Sequence, residues 1–149
     1  MNEIEKFNLK LIGKNQEDLK IISAFLQDSV VAVKDMVFLK KNKTFVMVVS
    51  RFMWEQFLEN DYKSRKRIRS AVKFEEVISV EARNINQKNK NKKFECLAIE
   101  SSLNTNEIFK IKILFAGNSA ITINVEAIDL ILQDLSKSWV IKNIPRHNI

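Results

Sequence analysis

The segment IFKIKILFAGNSAITINV, residues 108–125, constrains the fold more than any other part of the chain. Ile111, Ile113 and Phe115 alternate with Lys110, Lys112 and Leu114. The alternation returns in Ile121, Ile123 and Val125 after the break Ala116-Gly117-Asn118-Ser119. Period-two apolarity on both sides of a short, glycine-containing break is the pattern of a β-hairpin with one face turned to a core. The favoured two-residue hairpin turns need positive φ, which Gly117 supplies without steric cost. A chain that contains this segment builds antiparallel sheet.

Other runs share the same period. VVAV (30–33) and MVFL (36–39) lead into a turn at Lys41-Asn42-Lys43. TFVMVVSRF (44–52) then places Phe45, Met47 and Val49 on one face and Val46, Val48 and Ser50 on the other. RIRSAVKFEEVISVEARNI supplies two strands over about 68–74 and 77–84, broken at Glu75-Glu76, and FECLAIES alternates again. QKNKNKK (87–93) has no apolar residue and reads as a solvated loop or hairpin tip.

The ends read differently. Phe7, Leu9 and Leu11 alternate as a short first strand, which Gly13 breaks. Asn15 stands three residues before Asp18, a capping signal, and Leu19, Ile22, Phe25 and Leu26 come next at helical spacing, which predicts a helix over about 16–27. Near the other end Asn124 can cap a second helix. Ala127, Ile128, Ile131, Leu132 and Leu135 would form its apolar stripe, with Glu126 at the positive end of the dipole. Trp139 and Val140 are expected to fasten the chain beyond that helix, and Pro145 to end regular structure, leaving 142–149 as a tail. The expected fold is α+β: mostly antiparallel β of about seven strands, a C-terminal helix, and an N-terminal strand–helix addition, all in a single domain of residues 1–149. Seven strands and then a closing helix is the order of a pleckstrin-homology-like barrel. An open antiparallel sheet with helices on one face fits the same order.

The stretches LQDSVV (26–31), SRFMWE (50–55), AVKFEEVISVEAR (71–83) and LFAGNSAITINVEAI (114–128), with the basic run before the third, resemble a small, mainly alphaproteobacterial family, domain of unknown function 2948. Arg51, Trp54, Glu55, Phe74, Arg83, Phe115, Gly117 and Glu126 match its pattern. Members of that family are richer in arginine and glycine, where this chain uses lysine and asparagine. The resemblance implies no known activity.

Composition excludes several chemistries. One cysteine (Cys96) and one histidine (His147) leave no internal disulfide and no ordinary zinc site. Two glycines 104 residues apart make no phosphate-cradling glycine loop. His147 stands in the tail, and Glu75-Glu76 would point to opposite faces of a strand, so no acid–base pair is formed and no catalytic residue is assigned. No cofactor is expected. The N-terminus lacks the basic and apolar regions of a secretory signal, and no apolar run spans a membrane, which leads to the expectation of a cytoplasmic protein.

Charge is placed unevenly. Lys63 to Lys93 carries eleven basic residues against three acidic ones, while the rest of the chain has fourteen against fifteen. Lys63, Arg65, Lys66, Arg67, Arg69, Lys88, Lys90, Lys92 and Lys93 are therefore candidates for anion binding, with nucleic acid as the corresponding partner. Arg51, Trp54 and Arg83 are candidates for partner binding, Arg51 also for a cation–π contact, although Trp54 with Phe52 and Phe57 reads more readily as core packing. The first expectation is a non-enzymatic interaction module that binds a protein or peptide through a sheet edge or a groove beside the final helix. The alternative is a nucleic-acid or other polyanion binder acting through segment 63–93.

Overall fold

The computed structural model describes residues 9–55, 66–104, 106–135 and 139–140. In chain order these form β1 (Lys10–Gly13), α1 (Gln16–Leu26), β2 (Val30–Ala32), β3 (Met36–Leu39), β4 (Thr44–Phe52), β5 (Lys66–Phe74), β6 (Val77–Arg83), β7 (Lys93–Leu103), β8 (Phe109–Phe115), β9 (Ser119–Val125), β10 (Leu130–Asp134) and the two-residue β11 (Trp139–Val140). Short 3-10 turns at Val33–Asp35 and Lys40–Asn42 flank β3. Among the described residues the strands make one open, antiparallel sheet in the order β1-β10-β5-β4-β2-β7-β8-β9-β6, with β3 added to β4 and β11 to β5.

The expected hairpin is present. Phe115 pairs with Ser119 and Phe109 with Val125, and Gly117 (φ 82°) and Asn118 (φ 61°) take the left-handed conformation at its turn. The helix is present too. The Asn15 side chain accepts a hydrogen bond from the Asp18 N–H at 2.8 Å, and Leu19, Ile22 and Leu26 are at most 1% exposed. These side chains pack with inward residues of β4, β5 and β7–β10 in a single core that includes Val49, Phe74, Ile99, Ile113, Ile123 and Leu132. Gly13 gives β1 its close approach to that core, since a Cβ there would stand 2.6 Å from Leu130 Cδ2 and 3.0 Å from Ile22 Cδ1.

Two expectations are corrected. Among the described residues the strands number eleven rather than about seven. The C-terminal helix is absent: Ile131 and Leu132 of its stripe fall on β10, a strand hydrogen-bonded to β1 on one side and β5 on the other, and Ala127, Ile128 and Leu135 lie outside regular structure. Leu130, Leu132 and Asp134 point inward, and Gln133 points out. A short apolar run satisfies the helical and the strand period alike, and here two neighbouring strands needing a partner decide between them. Asn124, the expected cap, lies in β9 and donates to Ser79 Oγ at 2.9 Å. The single described α-helix precedes most of the strands, so the order of a pleckstrin-homology-like barrel is not met. Phe7, Phe57, Pro145, His147 and the 142–149 tail lie outside the described residues.

A buried ion cluster ties the sheet together. Arg51, 0% exposed, leaves β4 on the same face as Phe45, Met47 and Val49. Its Nε and Nη2 donate to Asp134 at 3.2 and 2.9 Å, and its Nη1 and Nη2 donate to Glu55 at 2.9 Å each. Asp134 also accepts from Ser70 Oγ at 2.6 Å and from the Leu9 N–H at 2.9 Å. The guanidinium lies 5.8 Å from the Phe25 ring centroid, the cation–π contact expected of Arg51. Burial alone would lower the pKa of Arg51, but its bonds and attraction to Glu55 and Asp134 outweigh that and raise it, so the residue stays charged.

Breaking one side of such a pair strands a charge in a dry interior, at a cost of about 3–5 kcal/mol. Arg51→Ala is expected to lose stability on that scale in urea unfolding, with β1 and β10 losing amide-exchange protection first. Gly13→Ala is expected to cost about 1–3 kcal/mol, because Leu130 and Ile22 must shift inside a filled core.

Candidate functional site

Of the strand edges left unladdered among the described residues, those of β3 and β6 lie beside one another. The four-residue β3 pairs only with β4, and β6 pairs only with β9. Along β3 the alternation of MVFL turns Met36 and Phe38 toward the core and leaves Val37 and Leu39 47% and 44% exposed. Along β6 Val77 is buried, Val80 is half-buried and Ala82 exposed, past a register shift between Val77 and Ser79.

The start of β6 meets the turn that joins β3 to β4. The Val77 N–H donates to the Lys43 carbonyl at 2.8 Å, and Lys43 Nζ reaches Glu126 at 3.3 Å. Lys43 (φ 53°) and Glu76 (φ 59°) both take the left-handed conformation at this junction. Beyond it lies a groove of about 250 Å³, floored by Val33, Phe38, Phe45, Val80 and Ile121 and reached by Gln87 and Lys90 at its mouth. That volume falls below the roughly 300–1,000 Å³ usual for small-molecule sites, and suits one or two apolar side chains. Exposed lysines Lys34, Lys40 and Lys41 bracket β3, with Asp35 the one acidic residue between them.

Of the basic residues singled out in the sequence, Lys90 alone among the described ones lines this groove. Lys63 and Arg65 lie outside the described residues. Lys66 is half-buried and pairs in the ladder with Val140. Arg67 holds the structure together: its Nη1 donates to the Ser50 carbonyl at 2.9 Å and to the Asp28 carbonyl at 3.3 Å, and its guanidinium lies 5.9 Å from the Phe52 ring centroid. Burial lowers its pKa, and the pull of Asp28 and Glu95 only partly offsets that. Arg69 is exposed on β5, across from Ser50. Lys88, Lys90, Lys92 and Lys93 are exposed three strands away, around the start of β7.

The partner-binding candidates also separate. Arg51 has no exposed surface and is committed to the ion cluster, which removes it from any surface contact. Trp54 donates its Nε1–H to the Gln27 carbonyl at 2.9 Å and sits edge-on to Phe52 at 4.4 Å, fastening the end of α1 to the end of β4. Arg83 is exposed, with its Nη2 3.4 Å from Asn118 Oδ1. Sequence reasoning did not find the β3–β6 groove, although the apolar Val37 and Leu39 beside three lysines were a visible signal.

Cys96 is 2% exposed, and burial, reinforced by the charges of Asp28 and Glu95, pushes its thiol up to about 12. Among the described residues no group of three or more His, Cys, Asp or Glu is placed to hold a metal, and no helix is long and apolar enough to cross a membrane.

Comparison with known proteins gives one match. A family model described as a protein of unknown function (DUF2948) matches residues 9–147. No curated protein and no solved structure matches the chain.

Cys96 is expected to resist iodoacetamide at mildly alkaline pH in the folded protein and to react on addition of denaturant. Because its folded pKa lies above the ordinary thiol value of 9.0, its contribution to stability is complete below about pH 9 and is lost as pH rises toward about 12. A Cys96→Ala variant would show a correspondingly flatter alkaline limb in urea titrations.

Proposed function

We propose that this chain, which belongs to the DUF2948 family of unknown function, is a non-enzymatic interaction module that binds an extended peptide between β3 and β6. The observation that carries the reading is the juxtaposition of two open strand edges with an apolar groove between them. A strand edge offers unpaired N–H and C=O groups that an extended segment can match, while side chains pointing to one side fill the groove. Affinity then comes from main-chain bonds and specificity from alternate residues of the ligand.

Charge narrows the ligand. Lys34, Lys40, Lys41 and Lys90 surround the groove, so the peptide that suits it alternates small or medium apolar residues and carries acidic residues at its flanks. Of the two binding modes expected from the sequence, the sheet edge has its counterpart in the fold. The groove beside a final helix has none, because β10 replaces that helix. The reading goes with a reducing, cytoplasmic setting, where a lone buried thiol is ordinary.

The polyanion reading is weakened by the structural commitment of the half-buried Arg67 and by the two strands, β4 and β2, that stand between Arg69 on β5 and the lysines near β7, a spacing of roughly 14 Å across the sheet.

Panning a random linear peptide display library on the full chain is the direct test. Enriched sequences should alternate apolar residues between acidic flanks, and their fluorescence anisotropy should hold up as salt is raised. Ala82→Trp, which fills the exposed side of the groove, should weaken binding about tenfold or more, the usual scale for losing a buried anchor. Lys90→Glu should weaken it less and make it less salt-dependent. Absence of any enriched binder, or affinity indifferent to Ala82→Trp, would sink the proposal.

A further inference from the structure

On the far side of the loop that closes the peptide groove lies a second, wider cavity. It measures about 830 Å³ and is bounded by the 84–92 loop, the start of β7 and the turn between β8 and β9. Its size falls within the roughly 300–1,000 Å³ of small-molecule sites, unlike its neighbour. Its walls are polar: Asn84, Asn86, Asn89, Lys92, Lys93 and Ser119 line it, with Glu95 the one acidic residue.

The walls are also held in place. The sequence QKNKNKK has nothing apolar to bury, and such a loop is expected to be solvated; here it is fastened at several points. Val33 and Lys34 donate their N–H groups to the carbonyls of Lys92 and Lys90, at 3.0 Å each. Inside the loop Lys88 N–H donates to Asn86 Oδ1 at 3.0 Å, Asn89 N–H to the Asn86 carbonyl and Lys92 N–H to the Asn89 carbonyl, both at 3.1 Å. Asn84, itself left-handed at φ 58°, donates its Nδ2 to the Gly117 carbonyl at 3.2 Å and accepts at its own carbonyl from Ser119 Oγ at 2.8 Å. Those two bonds lock the loop to the hairpin turn. Lys92 Nζ is stationed 5.9 Å from the Phe94 ring centroid.

Ordering a polar loop costs backbone entropy, and a preordered rim spares a ligand that cost on binding. Lys92 and Lys93 both line the cavity, with asparagine side chains beside them. Gly117 lies at the opposite wall, where a Cβ would meet nothing within 4 Å, so the backbone can be approached closely. Ammonium groups serve phosphate as point charges, and amides suit the polar edges of a base or sugar.

We propose that this cavity binds a small phosphate-bearing molecule of nucleotide size, with Lys92 and Lys93 on the phosphates. The site is separate from the peptide groove, and Ile85 lines both.

The test is amide NMR of the full chain titrated with ATP, with inorganic pyrophosphate and with adenosine. ATP and pyrophosphate should shift the Asn84–Lys93 and Gly117 amides, saturating by millimolar ligand, and adenosine should be weaker than either. The double variant Lys92→Ala with Lys93→Ala should bind ATP about tenfold or more weakly, the scale of a lost charge-assisted hydrogen bond. Lys73→Ala, an exposed lysine on β5, should bind as the parent chain does. Any of three results would overturn the inference: no shifts with ATP, shifts spread over exposed lysines without saturation, or adenosine binding as well as ATP. Failure of the peptide panning would leave these spectra untouched, so the two readings stand or fall separately.

Discussion

Asp134 is the point on which the sheet is assembled. It sits on β10, accepts from Arg51 of β4 and Ser70 of β5, and takes the Leu9 N–H just before β1. Four segments far apart in the sequence are thus registered by one carboxylate. The arrangement is tolerable in a dry core because nearly every hydrogen-bonding direction is used: Arg51 directs four of its five N–H groups at Asp134 and Glu55. Glu55, with its side chain 25% exposed, lets the cluster keep one contact with water. Asp134 thus shares the inward row of β10 with Leu130 and Leu132.

That choice of row has consequences at the other side of the molecule. With β10 seated between β1 and β5, the chain leaves β5 at Glu75, whose N–H donates to the Asp129 carbonyl at 2.8 Å. It turns through the left-handed Glu76 and enters β6 in the other half of the sheet. β6 forms the edge of that half, and its start meets the turn between β3 and β4 at the Val77–Lys43 bond. The groove between β3 and β6 is the gap left by this geometry. Its lysines are those on either side of β3 and those of the 84–92 loop, so the basic character of the chain is spread over several surfaces instead of forming one footprint.

Much of this was legible residue by residue. The 108–125 hairpin, the Asn15-capped helix and the Glu75-Glu76 break all appear where local pattern puts them, because each is settled by neighbours within a few positions: a left-handed turn, a side-chain cap, an interrupted alternation. The family match over residues 9–147 likewise bears out the resemblance carried by LQDSVV, SRFMWE and LFAGNSAITINVEAI. The candidate site was much less legible. Arg51 and Trp54 were visible as residues that matter, but local pattern could not say that one faces the ion cluster and the other, past the end of β4, closes over Gln27.

The sequence by itself determined the antiparallel character of the protein, the place of its one described α-helix and the absence of an ordinary cysteine–histidine zinc site, since period, capping and composition are local or countable. Only the tertiary structure decided that residues 130–134 are strand. Their apolar spacing suits both periods, and the choice belongs to β1, β5 and Arg51, all of them distant along the chain. It also decided which strand edges stay open and where the lysines gather. An edge is defined by the partner it lacks, and no stretch of sequence carries that information about itself.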